Sequence, residues 1–278
     1  MKKLLIIFLS VFTFIQAQGV LTAERGKVAD AYNFWLSTPD GKTDDEKKPL
    51  VIFLHGASLC GTNLDRVRRY GTIDAIERGR DLDAYVIAPQ NPGGAWKPSK
   101  IMKIVEWVET NFDDVDSERI YVLGMSLGGY GTIDFAAAYP DRVAAAIAMC
   151  GGGTSRDLAN LNEVPLWIIH GTADAAVSIA QSDKVVAAMK DSDETTPRLI
   201  YDRIPGMNHS QPARMFYLKD TYDWLFSHSL ADEDRPVNEA FDVNTSKLST
   251  AYKDLRSKPG AKTTKKKTKR SKRKRRRK

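Results

Sequence analysis

Ser126, Asp174 and His209 are the residues of this 278-residue chain whose types and order could support covalent catalysis. A serine hydroxyl is a poor nucleophile until a base takes its proton, and the base needs an acid to fix its tautomer and stabilise its cation. Ser126 lies in Gly124-Met125-Ser126-Leu127-Gly128, after the apolar run Tyr121-Val122-Leu123 and before a helix-like segment. The Gly-x-Ser-x-Gly pattern alone is a weak signal. Between a strand and a helix it reads as a nucleophile elbow, with glycines where a side chain would strike neighbouring main chain. With such an elbow the acid and base follow in the order Ser, Asp or Glu, His.

The base must come from four histidines. His55 and His170 each precede a glycine at a strand end and read as parts of structural turns, while His228 ends the last helix. His209 follows Pro205-Gly206 in the loop between the last strand and the last helix, where a base can reach the elbow. Asp174, in His170-Gly171-Thr172-Ala173-Asp174, follows a strand and is the matching acid. Asp183 falls in a helical pattern and Asp202 in a strand, so both are expected to be solvated. An oxyanion needs backbone N–H donors. Leu127 offers one at a helix N-terminus, and Ala57, in the loop after residues 50–54, is the expected second.

The elements that must position these groups alternate. Short apolar runs at 31–38, 50–54, 84–88, 120–123, 143–149, 165–169 and 198–204 read as strands. Helical spacing marks 64–79, 99–112 with Ser99 as N-cap, 127–139, 178–190 and 214–227. Pro39-Asp40-Gly41 reads as a turn and 42–49 as a charged loop. Continuously apolar strands between helices predict an α/β fold with a mostly parallel sheet covered on both faces. Functional groups in such sheets gather at the carboxyl ends of the strands, so His55, Ser126, Cys150, Asp174 and His209 should share one edge.

Composition sets the boundaries. Lys2-Lys3, the apolar run 4–15 and Ile15-Gln16-Ala17 read as a secretory signal peptide over residues 1–18, cleaved near Ala17 or Gln18. The alternative, an uncleaved anchor, is disfavoured because the apolar run is short of the roughly 20 residues a span requires. No cysteine lies in that segment, which excludes lipoprotein anchoring through it. The catalytic domain is expected over 19–230 and a C-terminal extension without a clear core pattern over 231–257, with a short helix at 246–255. Residues 258–278 carry 14 Lys or Arg and no acid, so the formal charge of +7 belongs to this tail; the remainder has 28 basic against 35 acidic residues. Such a low-complexity run cannot bury apolar area and is expected to be disordered. Cys60 and Cys150 both follow strands, so a disulfide is open to them, with two free thiols the favoured reading.

His55-Gly56 after a strand, Gly124-x-Ser126-x-Gly128, Cys150-Gly-Gly-Gly, His170-Gly-x-x-Asp174 and the late His209 together resemble the α/β-hydrolase superfamily. Within it the chain is most similar to secreted single-domain carboxylesterases, polyhydroxybutyrate-depolymerase-like and feruloyl-esterase-like enzymes, and predicted peptidases. The motifs cover about residues 50–227. The loop Ala57-Ser58-Leu59-Cys60 departs from the Gly-rich versions of that family. The resemblance implies a serine hydrolase acting on carboxylic esters, without metal or organic cofactor. A serine peptidase with the same triad is the alternative, and a polyanion-binding surface protein on a hydrolase scaffold is the non-enzymatic one.

Only a short loop separates Cys150 from Pro165, where many relatives insert a lid, so the expected site is open and suits large or polymer-attached substrates such as acylated polysaccharides. Trp96, after the strand 84–88, is read either as a platform stacking on a sugar or aromatic acyl group or as a tryptophan packing on the domain surface. The expected location is secreted, periplasmic or cell-surface associated, with no transmembrane segment in the mature chain. The basic tail is expected to bind anionic surface polymers, against the bland alternative of a solvated tail. Truncation before Lys258 should leave turnover of a soluble ester intact and abolish salt-sensitive retention on cells; retention that survives truncation refutes the tether.

Overall fold

A computed structural model describes residues 19–39 and 46–257. The signal peptide, the basic tail, Asp40-Gly41 and residues 42–45 of the charged loop lie outside the described residues. Eight strands form one sheet in the order β1-β2-β4-β3-β5-β6-β7-β8. They are β1 (Leu21–Glu24), β2 (Phe34–Ser37), β3 (Lys48–Leu54), β4 (Tyr85–Pro89), β5 (Val115–Met125), β6 (Ala145–Met149), β7 (Leu166–Gly171) and β8 (Leu199–Ile204). β3 to β8 run parallel, whereas β2 is antiparallel to both β1 and β4.

Successive side chains of a strand point to opposite faces, and here both faces are covered. Leu50, Ile52, Leu54, Ile120, Val122 and Ala146 face one core layer, built with α2 (Pro98–Asn111), α3 (Leu127–Ala138) and α4 (Ala180–Ser192). Val51, Phe53, Tyr121, Leu123, Ile147 and Trp167 face the other, built with α1 (Thr72–Glu77), α5 (Lys219–Phe226) and α6 (Thr245–Ser249). This explains the unbroken apolar runs in the sequence. Residues 151–164 between β6 and β7 hold one 3-10 helix, Leu158–Glu163, so no large lid stands there. Among the described residues no helix is long and apolar enough to cross a membrane.

The structure corrects the expected elements in several places. β1 has no counterpart in the sequence reading; its four residues are half-buried at the sheet edge and lack a full alternating pattern. The helix expected over 64–79 is a 3-10 helix, Leu64–Arg69, followed by α1. Gly71 breaks it at φ 96°, where a Cβ would come within 2.0 Å of the Phe53 ring. The last helix is likewise a 3-10 helix, Gln211–Tyr217, and then α5, separated by extended Leu218. Ser99 is not an N-cap: Lys97 holds that place without a side-chain bond, and Pro98 supplies a preset φ at the first helical position. α6 ends at Ser249, short of the predicted helix, and is capped by Asn244, whose side chain accepts the Lys247 N–H.

One further expectation changes and another, the two free thiols, holds. The segment 231–257 is part of the core: Val243, Leu248 and Ala251 are buried, and Phe241 stands edge-on to Trp167 at 5.1 Å. Its contacts are spaced too irregularly to show as a period. Cys60 and Cys150 are both free. β5 lies between β3 and β6, the strands that precede them, and Cys60 sits in the loop beyond β3 rather than at its end.

His55, at the end of β3, is fully buried. One ring nitrogen, Nδ1, lies 2.9 Å from the Gly56 carbonyl, and Nε2 accepts the Asn91 N–H at 3.0 Å. The imidazole is thus a neutral clip between the loops after β3 and β4. Burial pushes its pKa down to about 4. The unfolded chain, titrating near ~6.5, therefore takes up this proton first. His55 contributes its full stabilisation above about pH 6.5, loses it progressively towards pH 4, and contributes none below; the total is on the order of 3 kcal/mol. The buried His228, also lowered by burial, acts in the same direction. Urea midpoints measured from pH 7 to 4 should decline less steeply in His55→Gln than in the wild type; parallel declines would exclude the effect.

Candidate active site

The elbow is built from backbone contacts. β5 ends at Met125, Ser126 takes φ 59° and ψ −123°, and α3 begins at Leu127. Positive φ is costly for a non-glycine residue, about 1–3 kcal/mol. The turn is held by Ser126 N–H donating to Met149 O at 2.9 Å and by Tyr130 N–H donating to Ser126 O at 3.0 Å. A Cβ on Gly124 would lie 2.4 Å from Gly128 O, and one on Gly128 would lie 1.9 Å from Leu54 O. The glycines are therefore required by the approach of α3 to the ends of β5 and β3.

That approach sets the loop after β3 against the serine. The Cβ position of Gly56 is 3.5 Å from Ser126 Cβ. Gly56 N–H donates to the Tyr70 hydroxyl at 2.9 Å, so Gly56 itself is committed. Ala57 opens the 3-10 helix Ala57–Leu59, and Leu127 opens α3. First-turn N–H groups have no partner within their own helix, so the N–H groups of Ala57 and Leu127 are not taken up by the helices they open. Sequence reasoning missed Tyr70, which fixes the loop from a distant turn.

Asp174 and His209 are brought together directly. The Nδ1–H of His209 donates to Asp174 Oδ2 at 2.6 Å. The Asp174 side chain is 0% exposed and the His209 ring 24%, so the acid is covered while the imidazole opens to solvent. With Nδ1 bonded, Nε2 keeps its lone pair and can act as a base. Asp174 Oδ1 accepts the N–H groups of Ala176 and Val177, each at 2.8 Å. Burial raises the Asp174 pKa, but the Val177 N–H, His209 and the Ala176 N–H outweigh it and hold the carboxyl below its ordinary range. The two loops are also tied through main chain: Ala173 N–H donates to Met207 O at 3.1 Å, and Thr172 N–H to Ile204 O at 3.0 Å.

Asp183 and Asp202 are committed elsewhere. Asp183 accepts from Tyr201 and pairs with Arg203, and Asp202 accepts the Trp167 Nε1–H at 2.9 Å, bonded rather than solvated. His170 belongs to its turn, as expected, yet its Nε2 also stands 3.3 Å from Asp174 Oδ2. Cys150 Sγ, an Asp174 oxygen and a His209 nitrogen lie within 4.8 Å of one another. A cation bound by these three would have to break the Asp174–His209 hydrogen bond. Burial, followed by the Asp174 charge, pushes the Cys150 thiol up to about 12, so it stays protonated at neutral pH.

Trp96 does not flank the cleft. It is 3% exposed, edge-to-face with Tyr32 at 5.2 Å and with His55 at 5.0 Å. Its ring lies against α3, where a Cβ on Gly131 would come within 2.5 Å of it. The loop after β4 turns the large apolar ring inward, and a buried indole cannot stack on a substrate.

The fold is that of the α/β-hydrolases, with Ser126 on the turn between β5 and α3 and Asp174 bonded to His209 beyond the strand ends. Comparison with known proteins agrees. Residues 95–211, which include Ser126, Asp174 and His209, match the dienelactone hydrolase family. No curated protein matches the chain. Among solved structures it is similar to a thermostable esterase, at 24% identity and TM-score 0.63, covering 76% of this chain and 63% of that one. An acylaminoacyl peptidase from Pyrococcus horikoshii matches at 15% identity and TM-score 0.56, covering 85% and 45%. The feruloyl esterase module from Clostridium thermocellum, complexed with sinapinate, matches at 16% identity and TM-score 0.51, covering 69% and 83%. The chain thus spans less than two thirds of the length of the first two, and at these identities the likeness is one of fold.

The packing at the elbow gives a direct test. Gly128→Ala should cost more than about 3 kcal/mol, because the obstacle is the Leu54 carbonyl rather than a flexible side chain. Chemical denaturation of the variant checks it; a loss under 1 kcal/mol would mean the elbow relaxes freely.

Proposed function

We propose that this chain is an exported serine esterase that cleaves carboxylic esters, including acyl groups carried on polymers such as polysaccharides. The observation that carries the reading is the covered Asp174 carboxylate bonded at 2.6 Å to the partly open His209, on the strand edge that bears the Ser126 elbow. Ser126 attacks the ester carbonyl while His209 Nε2 takes the hydroxyl proton. Leu127 and Ala57 N–H groups receive the oxyanion. The tetrahedral intermediate collapses, His209 returns the proton to the leaving alcohol, and an acyl-enzyme remains. Water, activated by the same imidazole, releases the acid and restores Ser126. Asp174 stays ionised throughout and holds the tautomer.

The substrate class draws support from two sides. The short segment between β6 and β7 leaves the strand edge uncovered by a lid, which suits large acceptors. Two of the three similar structures are named as esterases, one of them in complex with sinapinate. The signal-peptide pattern supports export, and the basic run 258–278 supports a tether to anionic surface polymers.

A fluorophosphonate probe should label Ser126 in the wild type and fail in Ser126→Ala, which should also lose turnover. A panel of acetyl, feruloyl and aminoacyl-arylamide substrates then decides the bond. Higher kcat/KM on the esters is expected; a preference for the arylamides would make the protein a peptidase.

A further inference from the structure

Cys150 directly follows β6 and begins the run Cys150-Gly151-Gly152-Gly153. Its φ is 47°, a region that favours glycine. The three residues that follow are glycines, but this strained position is not. Strain kept beside reacting groups points to a task for the side chain. The thiol is fully buried, and the serine chemistry makes no use of it as a nucleophile. Its own N–H donates to Ile169 O at 2.8 Å, which locks Cys150 to β7, the strand that leads into the Asp174 loop.

Asp174 has several defined partners. Oδ1 takes the N–H groups of Ala176 and Val177, and Oδ2 takes His209 Nδ1–H. His170 stands 3.3 Å from Oδ2, with its nitrogens on Val177 O and on Ser182 Oγ, and Ser182 in turn donates to Gly151 O. That chain closes a ring from the acid back to the residue after Cys150. The Cys150 sulfur lies within 4.8 Å of both an Asp174 oxygen and a His209 nitrogen.

We propose that Cys150 is a positioning residue whose S–H donates to the Asp174 carboxylate and sets the angle at which that carboxylate meets His209. This rests on the reading of Ser126, Asp174 and His209 as the catalytic triad. Ionisable groups facing Asp174 are His209, His170 and Cys150, and the charge facing His209 is Asp174 itself. Without the thiol the carboxylate is freer to rotate, which slows proton transfer. It also shares less of its charge and draws harder on the His209 proton, which favours imidazolium.

The test uses p-nitrophenyl acetate and the full mature chain. Cys150→Ala should lower kcat by about two- to fivefold, the scale of one weak hydrogen bond, with KM nearly unchanged. The acid limb of its pH–rate profile should move to higher pH. Cys150→Ser keeps a donor and should restore both. If Cys150→Ala does not fold, Cys150→Gly replaces it, since glycine suits φ 47° and also removes the donor. Wild-type kcat and an unmoved acid limb in the donorless variant would overturn the role, as would a serine variant as slow as the alanine one. Ser126→Ala separates the two readings: if it is active the triad itself fails, and if it is dead while Cys150→Ala behaves as wild type, only the role of Cys150 falls.

Discussion

The backbone at Ser126 is held at φ 59° by three strand ends crowding one turn. Met149 O fixes its N–H, Leu54 O presses on Gly128, and Gly128 O presses on Gly124. This crowding places the first turn of α3, with its unpaired N–H groups, beside the loop after β3. It also requires α3 to be small and apolar on the sheet side, since Gly128, Gly129, Gly131 and Ala136 are all buried there. The local strain persists because packing on both faces of the sheet leaves the turn no room to relax.

The second constraint is electrostatic. A covered carboxylate is costly unless its lone pairs are satisfied. Asp174 meets this with two backbone N–H groups and an imidazole, on a loop whose main chain is stitched to that of the His209 loop. The acid therefore stays charged in a place where water does not compete for it, and the imidazole it orients remains open to solvent. Hydrogen bonds within the protein do here what solvent does for an exposed aspartate.

Charge is distributed by region rather than spread evenly. The body is mildly acidic, and the excess of Lys and Arg is confined to 258–278. The last described stretch, by contrast, belongs to the fold: Leu248 and Ala251 are buried and Arg256 N–H donates to Arg78 O at 2.8 Å. The change from core to polyelectrolyte thus falls within a few residues.

The sequence by itself determined the class of fold, the turn at Ser126, and the meeting of Asp174 with His209. Apolar runs and helical spacing are local properties, and the order Ser126, Asp174, His209 survives in any fold that brings parallel strand ends to one edge. Tertiary structure alone decided the rest. Gly71 breaks a helix because Phe53 lies beneath it, and Trp96 turns inward because Tyr32, His55 and α3 leave a slot for it. Cys150 and His170 come to lie beside Asp174, and Tyr70 holds the loop after β3, although each sits in a turn that spacing marks as ordinary. These outcomes depend on which distant residues meet, and no local period carries that information.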